Sequence, residues 1–314
     1  MNWRKNIREF TVNPNQIELS NRTYYLPCYE DIDILVASIS QIGLMSPPVV
    51  KTAKHGKLIP VSGRRRIDAA VRAGLEQTIV YVIDPEISEE QIVDLTFWDN
   101  VHRIRNNLVC SAIVVTRLMQ ERSPEIVAEK YLPWIGIPPR GPKLERLKLI
   151  AGLEERSLKM LWDGRIQEKS AVLLSRLSVD ERSRALDFLE LYSFNANKSA
   201  EMLQAIYDIS VLSQCSTSDT ISKVTQTIEE ECPDCDIVQK AASARNLIKK
   251  MKNVNLFETQ ASFNKWLEEI QLPSNMKINH AQSFESSQIT LEIKASSKTE
   301  AESMISKIDR KSVV

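Results

Sequence analysis

The chain has 314 residues, 43% of them hydrophobic and 26% charged, with 41 basic and 41 acidic side chains. That length accommodates two or three domains, and the charge balance leaves no overall basic excess, so any nucleic-acid contact must come from a local patch. No apolar run approaches the roughly 20 residues needed to cross a bilayer, and Met1-Asn2-Trp3-Arg4-Lys5 is not followed by an apolar signal segment, so cytoplasmic residence is expected.

Taken in order, Gln16 to Leu26 contains a short strand signal around Ile17-Glu18-Leu19. Ile32, Leu35, Val36, Ile39 and Ile42 then recur at spacings of three and four, which predicts an amphipathic helix stopped at Gly43. Pro47-Pro48 bars helix, and Val49-Val50-Lys51 predicts a β-branched strand returning through His55-Gly56 to Lys57-Leu58-Ile59. Thr78 to Ile83 is the clearest buried-strand signal. Ser88 and Gln91 have the spacing of a capping box, opening a helix whose inner face is expected at Ile92, Leu95 and Val101. A further helix over Asn107 to Arg122 would bury Ile113, Val114, Leu118 and Met119.

From Ser123, a helix N-cap, the pattern turns helical for more than a hundred residues: Pro124 to Tyr131, Lys143 to Gly152, Glu154 to Gly164, Gln167 to Leu177 and Val179 to Tyr192, with polar interruptions through 252. Trp134 and Trp162 are expected in the core. Ser262 to Ile270 reads as helix, Met276 to Ile278 and Gln288 to Ile293 as strands, and Ser297 to Ile308 as helix. Cys28, Cys110, Cys215, Cys232 and Cys235 are scattered and odd in number, which argues against a disulfide framework. Cys232-Pro233-Asp234-Cys235 has the spacing of zinc knuckles and redox sites, but zinc takes about four ligands and no second pair or nearby histidine supplies them.

The chemically loaded stretch is Val61-Ser62-Gly63-Arg64-Arg65-Arg66-Ile67-Asp68-Ala69-Ala70, which reads as strand, glycine turn and short helix closed by Gly74. Gly63 permits close backbone approach, and the amides that follow are the free N–H groups of a helix N-terminus, a place that attracts anions. Three consecutive arginines reinforce it, which suits a phosphate-binding turn. By themselves these ten residues suit a solvated basic helix face as well.

In combination, three segments carry a resemblance. Gly43-Leu44-Met45-Ser46-Pro47 before Val49-Val50, Gly63-Arg64-Arg65-Arg66-Ile67-Asp68-Ala69, and Asp99-Asn100-Val101-His102-Arg103 are similar, in order, to the G-x-x-Q-P, G-E-R-R-x-R-A and E-N-x-Q-R signatures of the ParB partition-protein family. The resemblance covers about residues 16–122, and the helices of 123–190 are more loosely similar to that family's helix-turn-helix region. It implies a cleft for CTP and Mg²⁺ whose occupation closes a dimeric clamp on DNA. Gly63, Arg65 and Arg66 would hold phosphates, Asn100 and Arg103 would meet the triphosphate, and Asp99 would be both the metal ligand and the catalytic candidate for a weak CTPase. Departures bear on this: Arg64 stands where the family has glutamate, Asp68 where it has arginine, Asp99 is a methylene shorter than glutamate, and His102 replaces glutamine. For DNA, Arg140, Lys143, Arg146 and Lys148 form a basic patch at the second helix of the helix-turn-helix-like pair. The joint Leu132 to Pro142 is longer than that motif's usual three or four residues.

The expected fold is α+β: a ParB/sulfiredoxin-like α/β domain over 1–122, an all-α helix-turn-helix-like bundle over 123–252, and a small α-β-β-α module over 253–314. The expected role is a nucleotide-gated DNA-binding homodimer in plasmid or chromosome partition or transcriptional regulation, nucleoid- or plasmid-associated, with a partition ATPase among its partners and no membrane. A kinase-like enzyme on the same fold is the competing reading, with Asp68, Asp99 and His102 as its acid or base candidates. A scaffold that binds no nucleotide is a third.

Overall fold

A computed structural model describes residues 3–53, 55–139, 142–270, 276–280, 289–295 and 297–298. The chain divides into two compact units, Met1–Ser175 and Arg176–Val314. In the first, strands β1 (Ile7–Val12), β2 (Val49–Thr52), β3 (Leu58–Ser62) and β4 (Thr78–Ile83) form one sheet in the order β1-β4-β2-β3. β1 pairs antiparallel with β4, β4 parallel with β2 through Val49↔Tyr81 and Val50↔Val82, and β2 antiparallel with β3. Pro60 lies in β3 and has no N–H to give, so this strand suits the edge of the sheet where it is found.

Two layers of helix cover that sheet. α1 (Asp33–Ile42) packs on α2 (Arg64–Arg72) through Ile32, Ile39, Ala69 and Ala70, and Ile67 of α2 joins Ile17, Val50 and Val80 beneath one face. On the other face, Ile92 of α3 (Glu89–Arg105) meets Tyr24, Ile59, Val61 and Ile83. α3 opens with the expected capping box between Ser88 and Gln91. Its buried side is Ile92, Val93, Thr96, Phe97 and Ile104, while the expected Leu95 and Val101 are only partly covered. α4 (Leu108–Glu121), α5 (Pro124–Lys130), α6 (Lys143–Ala151), α7 (Glu155–Trp162) and α8 (Glu168–Leu174) complete the unit, with Asn107 and Ser123 capping α4 and α5.

Several expectations need correction. β1 was not anticipated, because Ile7-Arg8-Glu9-Phe10-Thr11-Val12 has an outer strand's mostly exposed pattern and no continuous apolar run. The strand expected at Ile17 to Leu19 is only a single bridge from Ile17 to Leu58. Trp134 is 58% exposed, because the 3-10 helix Leu132–Ile135 turns it outward against Trp98 rather than into the core. Trp162 is half-buried, edge-on to Tyr29.

The second unit comprises α9 (Val179–Leu191), α10 (Ala196–Leu212), α11 (Thr217–Glu231), α12 (Ile237–Ile270) and the antiparallel pair β5 (Met276–His280) and β6 (Ile289–Ile293). The mixed fold is therefore α+β, a small sheet with many helices. α12 is one continuous helix of 34 residues, where the sequence pattern suggested a break before Ser262. No glycine or proline interrupts 237–270, so nothing in the backbone forces one. Cys232 and Cys235 form a single local disulfide between α11 and α12, and Cys28, Cys110 and Cys215 are free. The helix expected from Ser297 to Ile308 lies, beyond residue 298, outside the described residues.

α9 carries a second capping box. The Glu181 carboxylate accepts from the Ser178 N–H at 3.0 Å and from the Thr217 N–H at 3.0 Å, tying the start of α9 to the start of α11. The Ser178 backbone N–H is the first cause that holds the Glu181 carboxyl below its ordinary range. A lowered carboxyl pKa adds stability above the unfolded value of about 4.3 that is lost as pH falls through the folded value. Glu181→Ala should therefore cost about 1 kcal/mol at neutral pH. Its deficit relative to the parent should shrink in urea denaturation at about pH 3, and a deficit that stays constant with pH would contradict this account.

Candidate functional site

The end of β3 and the C-terminal half of α3 converge on one cleft of about 590 Å³, within the roughly 300–1,000 Å³ usual for small-molecule sites. Its walls include Gly63, Arg65, Arg66, Asp99, Asn100 and Arg103, so all six residues proposed from sequence for phosphate or metal face one space. The turn that begins it depends on Gly63, whose φ is +81°. A Cβ there would lie 2.9 Å from Pro48 Cβ and 2.8 Å from Arg66 Nη2. Gly63 is also the residue that precedes α2, so the first amides of that helix open onto the cleft.

The three arginines of the turn take different directions. Arg64 turns to the preceding loop, donating to the Asn21 carbonyl at 2.8 Å and to the Leu19 carbonyl, and lies over the Tyr25 ring at 5.1 Å. The charge reversal at this position thus secures the 19–21 backbone. Arg65 donates to Glu30 Oε2 at 2.9 Å and to the Asp31 carbonyl at 2.7 Å. Arg66 donates to the Ser46 carbonyl at 2.7 Å, fixing the Gly43–Pro47 segment against the turn. Burial lowers the pKa of both Arg64 and Arg66, with Asp99 opposing the shift at Arg66. Guanidinium stays protonated regardless, so both remain cations.

On α3, Asn100 donates to the Thr96 carbonyl at 3.0 Å, which leaves its amide oxygen and second N–H on the cleft side of the helix. Arg103 donates to the Leu26 carbonyl at 3.0 Å, and its buried Nε has no hydrogen-bond partner. Asp99 accepts from the Ser62 hydroxyl, which joins the strand end to the helix. Asp68 also lines the cleft, but Arg72 grips its two oxygens at 3.1 and 3.2 Å, so its charge is already answered. His102 is exposed and does not line the cleft.

This donor set suits a triphosphate: a glycine that permits close approach, helix-end amides, three guanidinium groups and an orphan buried N–H. It also suits Mg²⁺ bridged through phosphates, which takes one or two carboxylates and several waters. Asp99 is the carboxylate placed to supply one. Among the described residues no cluster of three or more His, Cys, Asp or Glu could hold a metal without such a ligand.

Sequence reasoning missed the wall made by Tyr24, Tyr25, Leu26 and Cys28, with Ser46 and Ser62, which line the same cleft. Ser62 could have been found from its place immediately before the glycine turn. Leu26 and Ser46 could not, since what they give to Arg103 and Arg66 is a carbonyl that any residue carries.

The basic patch lies elsewhere in the same unit. Lys143 pairs with Glu168 at 2.5 Å and Lys148 with Glu145 at 3.1 Å, whereas Arg146 is exposed on α6. Arg140 lies outside the described residues. α5 and α6 are separated by residues 131–142, which hold the 3-10 helix.

No protein-family model matches the chain. It is 27% identical over 185 residues to the probable chromosome-partitioning protein ParB of Chlamydia trachomatis, covering 51% of this chain and 63% of that protein. With the corresponding protein of Chlamydia muridarum it is 27% identical over 176 residues, covering 48% and 60%. The chain thus matches a little under two thirds of the length of these relatives. Among solved structures, the C-terminally truncated ParB of Caulobacter crescentus complexed with CTP-γ-S aligns with 56% of this chain and 96% of that one, at 22% identity and a TM-score of 0.25. The same protein complexed to the centromeric parS site aligns with 62% and 97%, at 18% identity and a TM-score of 0.29. With the glycine-arginine turn and the Asp99–Arg103 segment on one cleft, the chain is similar over about half of its length to these ParB partition proteins, the family that its motifs resemble.

Proposed function

We propose that this chain is a ParB-like DNA-binding protein whose cleft takes a nucleoside triphosphate with Mg²⁺, CTP being the nucleotide that the family resemblance names. The observation that carries the reading is the convergence of Gly63, Arg65, Arg66, Asn100 and Arg103 with one carboxylate, Asp99, on one cleft. Guanidinium groups and helix-end amides neutralise phosphate oxygens, and the carboxylate recruits the hard cation that phosphates share. In this proposal the exposed Arg146 on α6 makes phosphate contacts with DNA, and nucleotide occupancy governs how two copies hold the duplex. The chain's neutral balance predicts modest non-specific affinity, which falls as salt rises in proportion to the number of phosphates contacted.

Calorimetric titration with CTP, ATP, GTP and ADP in Mg²⁺, the CTP series repeated with mixed-sequence DNA, tests it. The expected result is selective CTP binding that Arg66→Ala weakens by roughly 30-fold or more, since one buried charge-assisted contact is worth about 2 kcal/mol or more. DNA binding should weaken as salt rises. ATP or ADP binding with slow turnover would favour the kinase-like reading. No binding of any nucleotide would remove the nucleotide from the proposal and leave a plain DNA-binding or scaffold role.

A further inference from the structure

One of the cleft's arginines already holds an anion from outside the cleft lining. Glu30 Oε2 lies 2.9 Å from Arg65 Nη1, the same guanidinium offered to a phosphate, and the neighbouring Asp31 carbonyl takes Nη2 at 2.7 Å. Both are supplied by the segment just ahead of α1, not by the phosphate turn. The carboxylate side chain is 64% exposed while the guanidinium is 30% exposed. A carboxylate so well hydrated loses little on release, and an exposed ion pair of this kind holds weakly. A phosphate oxygen brings more charge and the same fork geometry, so it displaces the carboxylate where a singly charged anion competes poorly.

We infer that Glu30 is a built-in competitor for Arg65: it holds the phosphate-binding arginine itself and must leave when a polyphosphate enters. This deepens the nucleotide reading and rests on it. Glu30 thereby sets the affinity threshold and favours polyphosphates over monoanions. Because Glu30 and Asp31 sit just ahead of α1, its displacement also removes one of the two ties between that segment and the arginine turn, leaving the Asp31 carbonyl as the other. Ligand occupancy is thus felt outside the phosphate site.

The test is calorimetric titration of the full chain and its Glu30→Gln variant with CTP and with inorganic triphosphate, both in Mg²⁺, with Glu86→Gln as a control of equal charge change. Glu30→Gln should bind both ligands roughly three- to tenfold more tightly than the parent, since it removes an exposed ion pair and a like charge beside the phosphates. Glu86→Gln should match the parent, and the gain should shrink as salt rises. Binding by Glu30→Gln alone, with none by the parent, would support the inference in its strongest form. Equal or weaker binding by Glu30→Gln, with the parent binding normally, would overturn it while leaving the nucleotide reading intact. Absence of binding in both would overturn the nucleotide reading and this inference with it.

Discussion

Gly63→Ala should lower the stability of the chain by about 2 kcal/mol and reduce nucleotide affinity by at least about 30-fold, a loss of the order expected when a positive-φ site is strained and a close-approach turn is filled. Two independent causes act together. The residue sits at φ +81°, a conformation that side chains with a Cβ rarely adopt, and that Cβ would press on Pro48 Cβ at 2.9 Å and Arg66 Nη2 at 2.8 Å. The arginine tip is flexible and can swing away, but in doing so it releases the Ser46 carbonyl and leaves the phosphate site. Pro48 cannot yield as easily, because it follows Pro47 and its own carbonyl accepts from the Tyr81 N–H at 2.9 Å. Urea denaturation read beside CTP titration separates the two effects. A variant with the parent's stability and affinity would mean that the turn needs neither the positive φ nor the space.

A second large effect is expected outside the cleft lining, at Arg122. Its side chain is only 3% exposed and donates to Asp94 at 2.9 Å and to the Glu90 carbonyl at 2.9 Å, with the Glu90 carboxylate 3.2 Å away. It also lies over the Tyr131 ring at 5.4 Å, and the Tyr131 hydroxyl donates to the same Asp94. One guanidinium thus joins the end of α4 to α3 and to the residue that ends α5. Arg122→Ala removes the cation while Asp94 stays half-buried with the Tyr131 hydroxyl and Lys130 at 3.8 Å, so a loss of about 3 kcal/mol is expected, the low end for breaking one side of a buried pair. Arg122→Met keeps the packing and should cost less. A double-mutant cycle with Asp94→Asn in chemical denaturation should give a coupling of about 1 kcal/mol or more. Additive losses would show that Arg122 acts by packing alone.

Much of the first unit was legible because its signals are local. The Ser88–Gln91 capping box, the Val49–Lys51 and Thr78–Ile83 strands and the glycine-arginine turn each rest on residues near one another in sequence, and each appears where the pattern puts it. β1 was not legible, since an outer strand needs only one covered face and Arg8, Glu9 and Thr11 hide the alternation. Trp134 was misjudged because size and apolarity favour burial, while the turn that exposes it is set by Pro133 and Gly136 and by packing on α3. In the cleft, the side chains that could carry charge were found from sequence. Glu30, which pairs with Arg65 from outside that lining, was not, as the pairing spans 35 positions and no motif marks it.

Among the described residues, arginines of this unit repeatedly grip main-chain oxygens: Arg64 those of Leu19 and Asn21, Arg117 that of Tyr25, Arg103 that of Leu26, Arg65 that of Asp31, Arg66 that of Ser46, and Arg122 that of Glu90. A carbonyl is the same whatever side chain it belongs to. Residues 19, 21, 26 and 46 can therefore drift in identity over evolutionary time without loosening these ties, whereas the arginines that hold them cannot. Divergence should accumulate on the held side and be scarce on the holding side, so that two such proteins could share a cleft of one shape while little of its wall reads alike.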